Sequence, residues 1–174
     1  MQTFKIIRDK DFGLNTPGPA TWNKRKTGRA IIFDKDGNVA LLHVTKKHYH
    51  KLPGGGVEEG ENVNEALRRE ALEEIGCDIS NIRELGIIEE YRGQFSEHQT
   101  SHCFIADVDG EKKDPNFTPD ELENGFEIIW LSLEEAIKTL ESEESVEDYE
   151  GKFINARELT FLKKASKNIS HIEI

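Results

Sequence analysis

Three glycines behind a proline, followed within a few residues by an uninterrupted run of helix formers, constrain this chain more than any other stretch. The segment is Leu52 to Cys77, LPGGGVEEGENVNEALRREALEEIGC. Val63 to Ile75 is compatible with a helix throughout, and Gly76 stands where a C′ glycine takes the left-handed turn that ends one. At about 100° per residue, Glu70, Glu73 and Glu74 fall within one arc of about 100°, while Leu67, Ala71, Leu72 and Ile75 gather on a neighbouring arc. The spacing therefore predicts a core stripe beside a stripe of three carboxylates.

Like charges four residues apart cost a helix about 0.3 kcal/mol, so this crowding calls for water or a cation. Hard divalent ions such as Mg²⁺ take oxygen ligands and share them among carboxylates, waters and substrate phosphates. Gly54-Gly55-Gly56 lets the backbone turn tightly and approach the same ion or a phosphate oxygen. A solvated acidic helix could share the composition of EALRREALEE, but it would not require the preceding PGG, Glu61 and a fixed spacing.

That spacing is Gly55, five residues, Glu61, seven residues, then Arg69-Glu70-Ala71-Leu72-Glu73-Glu74-Ile75-Gly76. It resembles the signature of the Nudix hydrolases, G-x5-E-x7-R-E-U-x-E-E-x-G-U, where U is a bulky aliphatic residue. All seven invariant positions are present: Gly55, Glu61, Arg69, Glu70, Glu73, Glu74 and Gly76. Ala71 and Cys77 occupy U positions and are small for them, a variation in packing and not in chemistry. The resemblance implies Mg²⁺ (or Mn²⁺) held by Glu70, Glu73 and Glu74 with the Gly54 carbonyl as a further ligand, and Arg69 paired with Glu61 or another motif carboxylate.

The 174 residues are expected to form one domain, with an N-terminal strand and loop (1–27), a core (28–140), and an acidic link with a C-terminal helix (141–174). A net charge of −11 argues against general nucleic-acid binding and requires a local cationic site or metal ions to receive an anionic substrate. Cys77 and Cys103 sit in apolar contexts and read as reduced core thiols. No signal-peptide pattern and no apolar run near the ~18 residues of a membrane span occur, so a soluble, cytoplasmic protein without a membrane partner is expected.

Thr3 to Arg8 alternates like a strand, and Asp11 to Lys26 reads as a long loop anchored by Trp22. Arg29 to Asp34 and Val39 to Thr45 form a hairpin around Lys35-Asp36-Gly37-Asn38. Lys46 to Lys51 is basic within an acidic chain, which nominates Lys46, Lys47 and His50, with Arg29 and Gly55, for contact with substrate phosphates. Glu84 to Tyr91 and Gln99 to Val108 read as a second hairpin, whose polar residues His98, Gln99 and His102 could border a pocket. The acidic loop Gly110 to Gly125 precedes a strand, Phe126 to Leu131. Nudix relatives often supply an extra carboxylate from this region; Glu121, Glu123 and Glu127 are the candidates, with Glu123 preferred as a metal ligand. Ser132 and Glu135 form a capping box for a helix to about Leu140. After a solvated link over Glu141 to Glu150, Lys152 to Lys167 has helical spacing, with Phe153, Leu159 and Leu162 facing the core.

Strands alternating with helices predict an α/β fold, an α/β/α sandwich around a mixed sheet. The family resemblance implies the same fold over about residues 28–140, and with it a hydrolase of phosphorus-containing acid anhydrides. Its substrate would be a small-molecule nucleotide, a nucleoside diphosphate linked to another moiety, with a glutamate as general base. Marks associated with ADP-ribose or dinucleoside polyphosphates are weak: no proline lies between Cys77 and Lys113, and Tyr91 falls short of its window. Competing readings are a nucleotide-binding domain without hydrolysis and a prenyl diphosphate isomerase. The resemblance leaves a homodimer open.

Overall fold

Two short apolar runs, AIIF and VALL, are buried on both faces, and the rest of the fold is arranged around them. The computed structural model describes residues 1–143 and 147–170. In chain order its strands are β1 (Thr3–Arg8), β2 (Asn23–Phe33), β3 (Asn38–Val44), β4 (Tyr49–Lys51), β5 (Gly54–Gly56), β6 (Asp78–Arg92), β7 (Glu97–Asp109) and β8 (Phe126–Ser132). The helices are α1 (Val63–Ile75), α2 (Pro119–Glu123), α3 (Leu133–Glu141) and α4 (Tyr149–Ser170). The strands form one sheet in the order β1-β6-β7-β2-β3-β4, with β5 beside β2 and β8 beside β3. β1 with β6 and β2 with β7 run parallel, and the other pairs are antiparallel, so the sheet is mixed as expected.

Because side chains alternate across a strand, Ala30 and Ile32 of β2 point to one face and Ile31 to the other. The first face packs with Ala40, Leu42, Phe104 and Ala106 against Leu67, Ala71 and Ile75 of α1. The opposite face packs with Val39, Leu41 and Ile88 against Ala136 and Leu140 of α3 and Phe153, Phe161 and Leu162 of α4. Helices thus cover both faces, and a β2–β3 pair buried twice over reads as a continuous apolar run.

β2 and β3 share a single register pair, Phe33 with Val39, and then part. The freed edge of β2 is taken up by the glycines, with Thr27 opposite Gly56, Gly28 opposite Gly55 and Arg29 opposite Gly54. The glycine run is therefore a short strand and not the loop its composition predicts. β2 also begins earlier than expected, at Asn23, which shortens the expected Asp11 to Lys26 loop; Trp22 packs edge-on against Tyr91, ring centroids 5.2 Å apart. β6 and β7 outrun their expected limits for a similar reason, since their register continues from Asp78–Asp109 to Arg92–Glu97.

α1 spans the expected residues and is closed by Gly76 in the left-handed conformation (φ 67°). Asn62 starts it: its side chain accepts from the amides of Asn64 and Glu65, while Glu65 accepts from the Asn62 amide, a capping box. The expected core stripe needs one correction, because Leu72 is exposed on α1 while Glu74 is buried. Ser132 caps α3 with Glu135, as the sequence predicts. The expected link over Glu141 to Glu150 contains residues 144–146, which lie outside the described residues; Glu143 is not solvated but bonded to His50 and Asn155. Cys77 and Cys103 are free and buried. Among the described residues no helix is long and apolar enough to cross a membrane.

Candidate active site

Glu74 projects from the buried side of α1 onto the glycine strand. Its Oε2 accepts the Gly54 amide at 2.6 Å and its Oε1 accepts Lys51 Nζ at 2.9 Å. Burial pushes the Glu74 carboxyl up; the Lys51 charge opposes that, and the neighbouring Glu70 charge adds to it. One turn earlier, Glu70 lies flat against Gly55, where an added Cβ would come within 2.1 Å of Glu70 Oε1. A side chain at Gly55 would push the Glu70 carboxylate off the strand. Gly54 is constrained from the other side: with φ 130°, a Cβ there would meet the Gly28 carbonyl oxygen at 2.1 Å.

Arg69 gathers the remaining carboxylates. Its Nε and Nη2 donate to the two oxygens of Glu61 at 3.0 and 3.1 Å, a forked pair of the kind guanidinium geometry favours. Nη1 donates to Glu70 at 2.9 Å and to Glu73 at 3.3 Å, and Nη2 also reaches the Gly56 carbonyl at 3.1 Å. The Glu61 fork is the main reason the Arg69 pKa is raised, and Arg69 in turn holds the Glu61 carboxyl below its ordinary range. Arg29 reaches the same strand from β2, donating through Nη1 to the Gly54 carbonyl.

Glu70, Glu73, Glu74 and the Gly54 carbonyl thus supply the hard oxygen donors that a Mg²⁺-sized ion takes, and the cradle at Gly55 brings two of those donors to one strand. Each donor is engaged by one of the chain's own cations: Arg69, Lys51 or Arg29. Among the described residues, no three carboxylate, histidine or cysteine side chains converge on a single point. The donor chemistry fits a divalent cation; in the arrangement described, ammonium and guanidinium groups hold its ligands.

The other expected site residues are placed apart from this cluster. Glu123 ends α2 exposed, and Glu121 is consumed in the Thr118 capping box. Glu127 lies opposite His43 on the β3–β8 ladder. The loop before α2 does reach the motif helix, but through backbone: the Asn116 amide donates to the Glu73 carbonyl at 2.7 Å. Lys46 and Lys47 line a cavity of about 540 Å³ whose other wall is Ser142, Glu143, Glu147 and Asp148, and Lys47 pairs with Glu150 at 3.8 Å. His50 stacks on His43 and pairs with Glu143.

Of the expected pocket residues on β7, Gln99 faces α4 and bonds to Glu90 and Ser101. His98 lies on the opposite face, stacked on Tyr91, and His102 shares that face by alternation. They do not border one pocket.

Sequence reasoning overlooked Lys51, the direct partner of Glu74, and a dry ionic layer beneath α4. In that layer Arg157 donates to Glu90 at 2.9 Å and to Glu158 at 2.6 Å, and Arg92 donates to Glu90 at 3.1 Å.

A family model described as the NUDIX domain matches residues 24–154. Two curated relatives are RNA pyrophosphohydrolases of Wolbachia. That of Wolbachia pipientis subsp. Culex pipiens (strain wPip) is 38% identical over 53 residues, covering 30% of this chain and 33% of the relative. That of Wolbachia sp. subsp. Brugia malayi (strain TRS) is 28% identical over 120 residues, covering 62% of this chain and 74% of the relative. The chain thus spans about a third of the length of the former. Among solved structures, a NUDIX hydrolase from Nitrosomonas europaea superimposes with a TM-score of 0.64 at 17% identity, covering 84% of this chain and 90% of that one. A MutT NUDIX hydrolase from Burkholderia pseudomallei gives 0.52 at 24% identity, covering 64% and 85%. At these identities the structures speak for the fold.

Proposed function

The chain belongs to the NUDIX family, and from that premise we propose that it is a Mg²⁺- or Mn²⁺-dependent pyrophosphohydrolase cleaving a nucleoside diphosphate linked to another moiety. The observation that carries this reading is the meeting of helix and strand, with Glu74 on the Gly54 amide and Glu70 against Gly55. A chain with no use for the motif would have no reason to press two carboxylates together onto a side-chain-free strand.

Glu70, Glu73 and Glu74, with the Gly54 carbonyl, are the ligands we assign; Glu123, exposed at the end of α2, is left out of the set. These residues would hold the divalent cation, whose chemistry when bound would be to neutralise diphosphate oxygens and to lower the pKa of the attacking water. Arg69 holds Glu61, Glu70 and Glu73 in register and stays on the protein side of the site. Lys51 flanks the glycine strand as the cation we assign to an incoming phosphate, which matters in a chain of net charge −11, while Arg29 is buried on the α4 side and acts on the Gly54 carbonyl. A motif glutamate accepts the proton from the attacking water.

The test is a panel of nucleoside di- and triphosphates, nucleotide sugars and dinucleotides, assayed with Mg²⁺ and Mn²⁺ and with product identification. An RNA oligonucleotide carrying a phosphoanhydride belongs in it because two curated relatives are named RNA pyrophosphohydrolases. Cation-dependent release of phosphate or pyrophosphate that disappears in Glu73→Gln supports the assignment. Turnover equal to wild type in that variant would refute it.

A further inference from the structure

Three buried polar side-chain atoms lack a hydrogen-bond partner among the described residues: Arg29 Nε, Arg92 Nε and Glu158 Oε2. All three belong to the layer between the sheet and α4. Arg92 is otherwise well supplied, with Glu90 at 3.1 Å, Glu97 at 3.4 Å and Glu150 at 3.7 Å. Arg157 is shared between Glu90 and Glu158. Arg29 differs from both: among the described residues it has no carboxylate within ion-pair distance, and its partner is the neutral Gly54 carbonyl.

A guanidinium out of water without a counterion is costly, and the cost persists until an anion is found. The negative charges that act on Arg29 are, in order, those of Glu158, Glu74 and Glu70. Glu74 is already engaged by Lys51 and Gly54, and Glu70 by Arg69. Glu158 has one oxygen filled by Arg157 and the other free. Arg29 on the Gly54 oxygen opposes a divalent ion there, because the two positive charges repel across one acceptor. Metal binding there is favoured when Arg29 has another partner within the same dry layer, and the free Glu158 oxygen is one.

We propose that Glu158 is a positioning residue of the metal site: its free oxygen receives Arg29 when the Gly54 carbonyl turns to a divalent cation. The proposal rests on the hydrolase reading above and adds to it an acidic residue of the C-terminal helix, outside both the motif and the family match. Glu158 acts only through Arg29 and touches neither substrate nor metal. Released from Gly54 and paired to Glu158, Arg29 leaves the carbonyl clear without leaving a bare charge behind.

The test is calorimetric titration with Mn²⁺ alone, without nucleotide, on the full chain and on Glu158→Gln, Glu158→Asp, Arg29→Met and the Arg29→Met/Glu158→Gln double variant. Glu158→Gln is expected to weaken Mn²⁺ binding by about fivefold or more, and Arg29→Met to tighten it by removing the competitor. In the Arg29→Met background, Glu158→Gln should change the Kd by less than about twofold, and Glu158→Asp, which keeps the charge, should bind within about twofold of wild type. A merely structural Glu158 would lower the melting temperature and weaken Mn²⁺ binding equally in both backgrounds, which would overturn the proposal. So would Glu158→Gln binding Mn²⁺ as wild type does. Should the wild-type chain bind no Mn²⁺, the hydrolase reading itself fails, a result distinct from either of these.

Discussion

Glu74 and Glu90 are both sealed from solvent, at 1% and 0% exposure, yet their carboxyls are displaced in opposite directions. Burial raises both. At Glu90 the charges of Arg157 and Arg92, with their hydrogen bonds, overcome that and hold the carboxyl below its ordinary range. At Glu74 a single lysine and one amide do not suffice, and the like charge of Glu70 adds to the burial. The layer under α4 has supplied its glutamate with enough positive charge; the motif has left its own short. Glu74, short of positive charge, has room for another cation, whereas Glu90, matched by two guanidiniums, serves to hold elements in place.

The most decisive way to break this comparison is on the motif side. Glu73 is the most exposed of the three helix carboxylates, and Arg69 keeps Glu61 and Glu70 without it. Glu73→Gln should lower steady-state turnover by about 10² to 10⁴. Its melting temperature, read by scanning calorimetry, should stay within about 2 °C of wild type. A large loss of stability would mean that the motif is scaffold after all.

On the α4 side the reverse is expected. Arg157→Met strips Glu90 and Glu158 of a shared partner and should cost about 3–5 kcal/mol in urea unfolding, since a charge left buried and unpaired is expensive. An unfolding free energy near wild type would remove the distinction between the two clusters.

The pH dependence sharpens the contrast further. The depressed Glu90 contributes stability that is present above the ordinary glutamate value of 4.5 and lost as pH falls through its lower folded value. Glu90→Gln should therefore be less stable than wild type near neutrality, with the gap closing in acid. The raised Glu74 has the opposite sign, its contribution being complete below 4.5 and lost as pH rises through its folded value. Without added metal, Glu74→Gln should match or exceed wild-type stability near neutrality, and that advantage should fade in acid. Urea midpoints across pH for both variants decide the matter; slopes of the same sign would contradict it. The smallest effect lies at the start of α1, where Asn62→Ala should cost about 1 kcal/mol through the lost cap, with cation-dependent turnover retained.

Much of this site was legible in the sequence, and the failures have physical causes. α1 was placed to the residue because its glycine stop and helix-forming run are local signals. The burial of Glu74 was available too: seven residues after Leu67, it sits only about 20° from it around the helix, whereas Leu72 lies about 140° away. β5 could not be read, because three glycines carry no alternating pattern and the strand exists only where β3 parts from β2. The pairing of Arg157 with Glu90 was equally invisible: α4 meets β6 there across 67 positions, a contact that only the tertiary fold creates.

Building one wall of the site from consecutive glycines has a consequence for how such an enzyme diversifies. That wall offers main-chain amides and carbonyls alone, and at Gly54 and Gly55 the first added carbon would meet its neighbours at 2.1 Å. At those two positions the wall stays blank, so changes in what the protein accepts are left to Gly56 and to the strands around it.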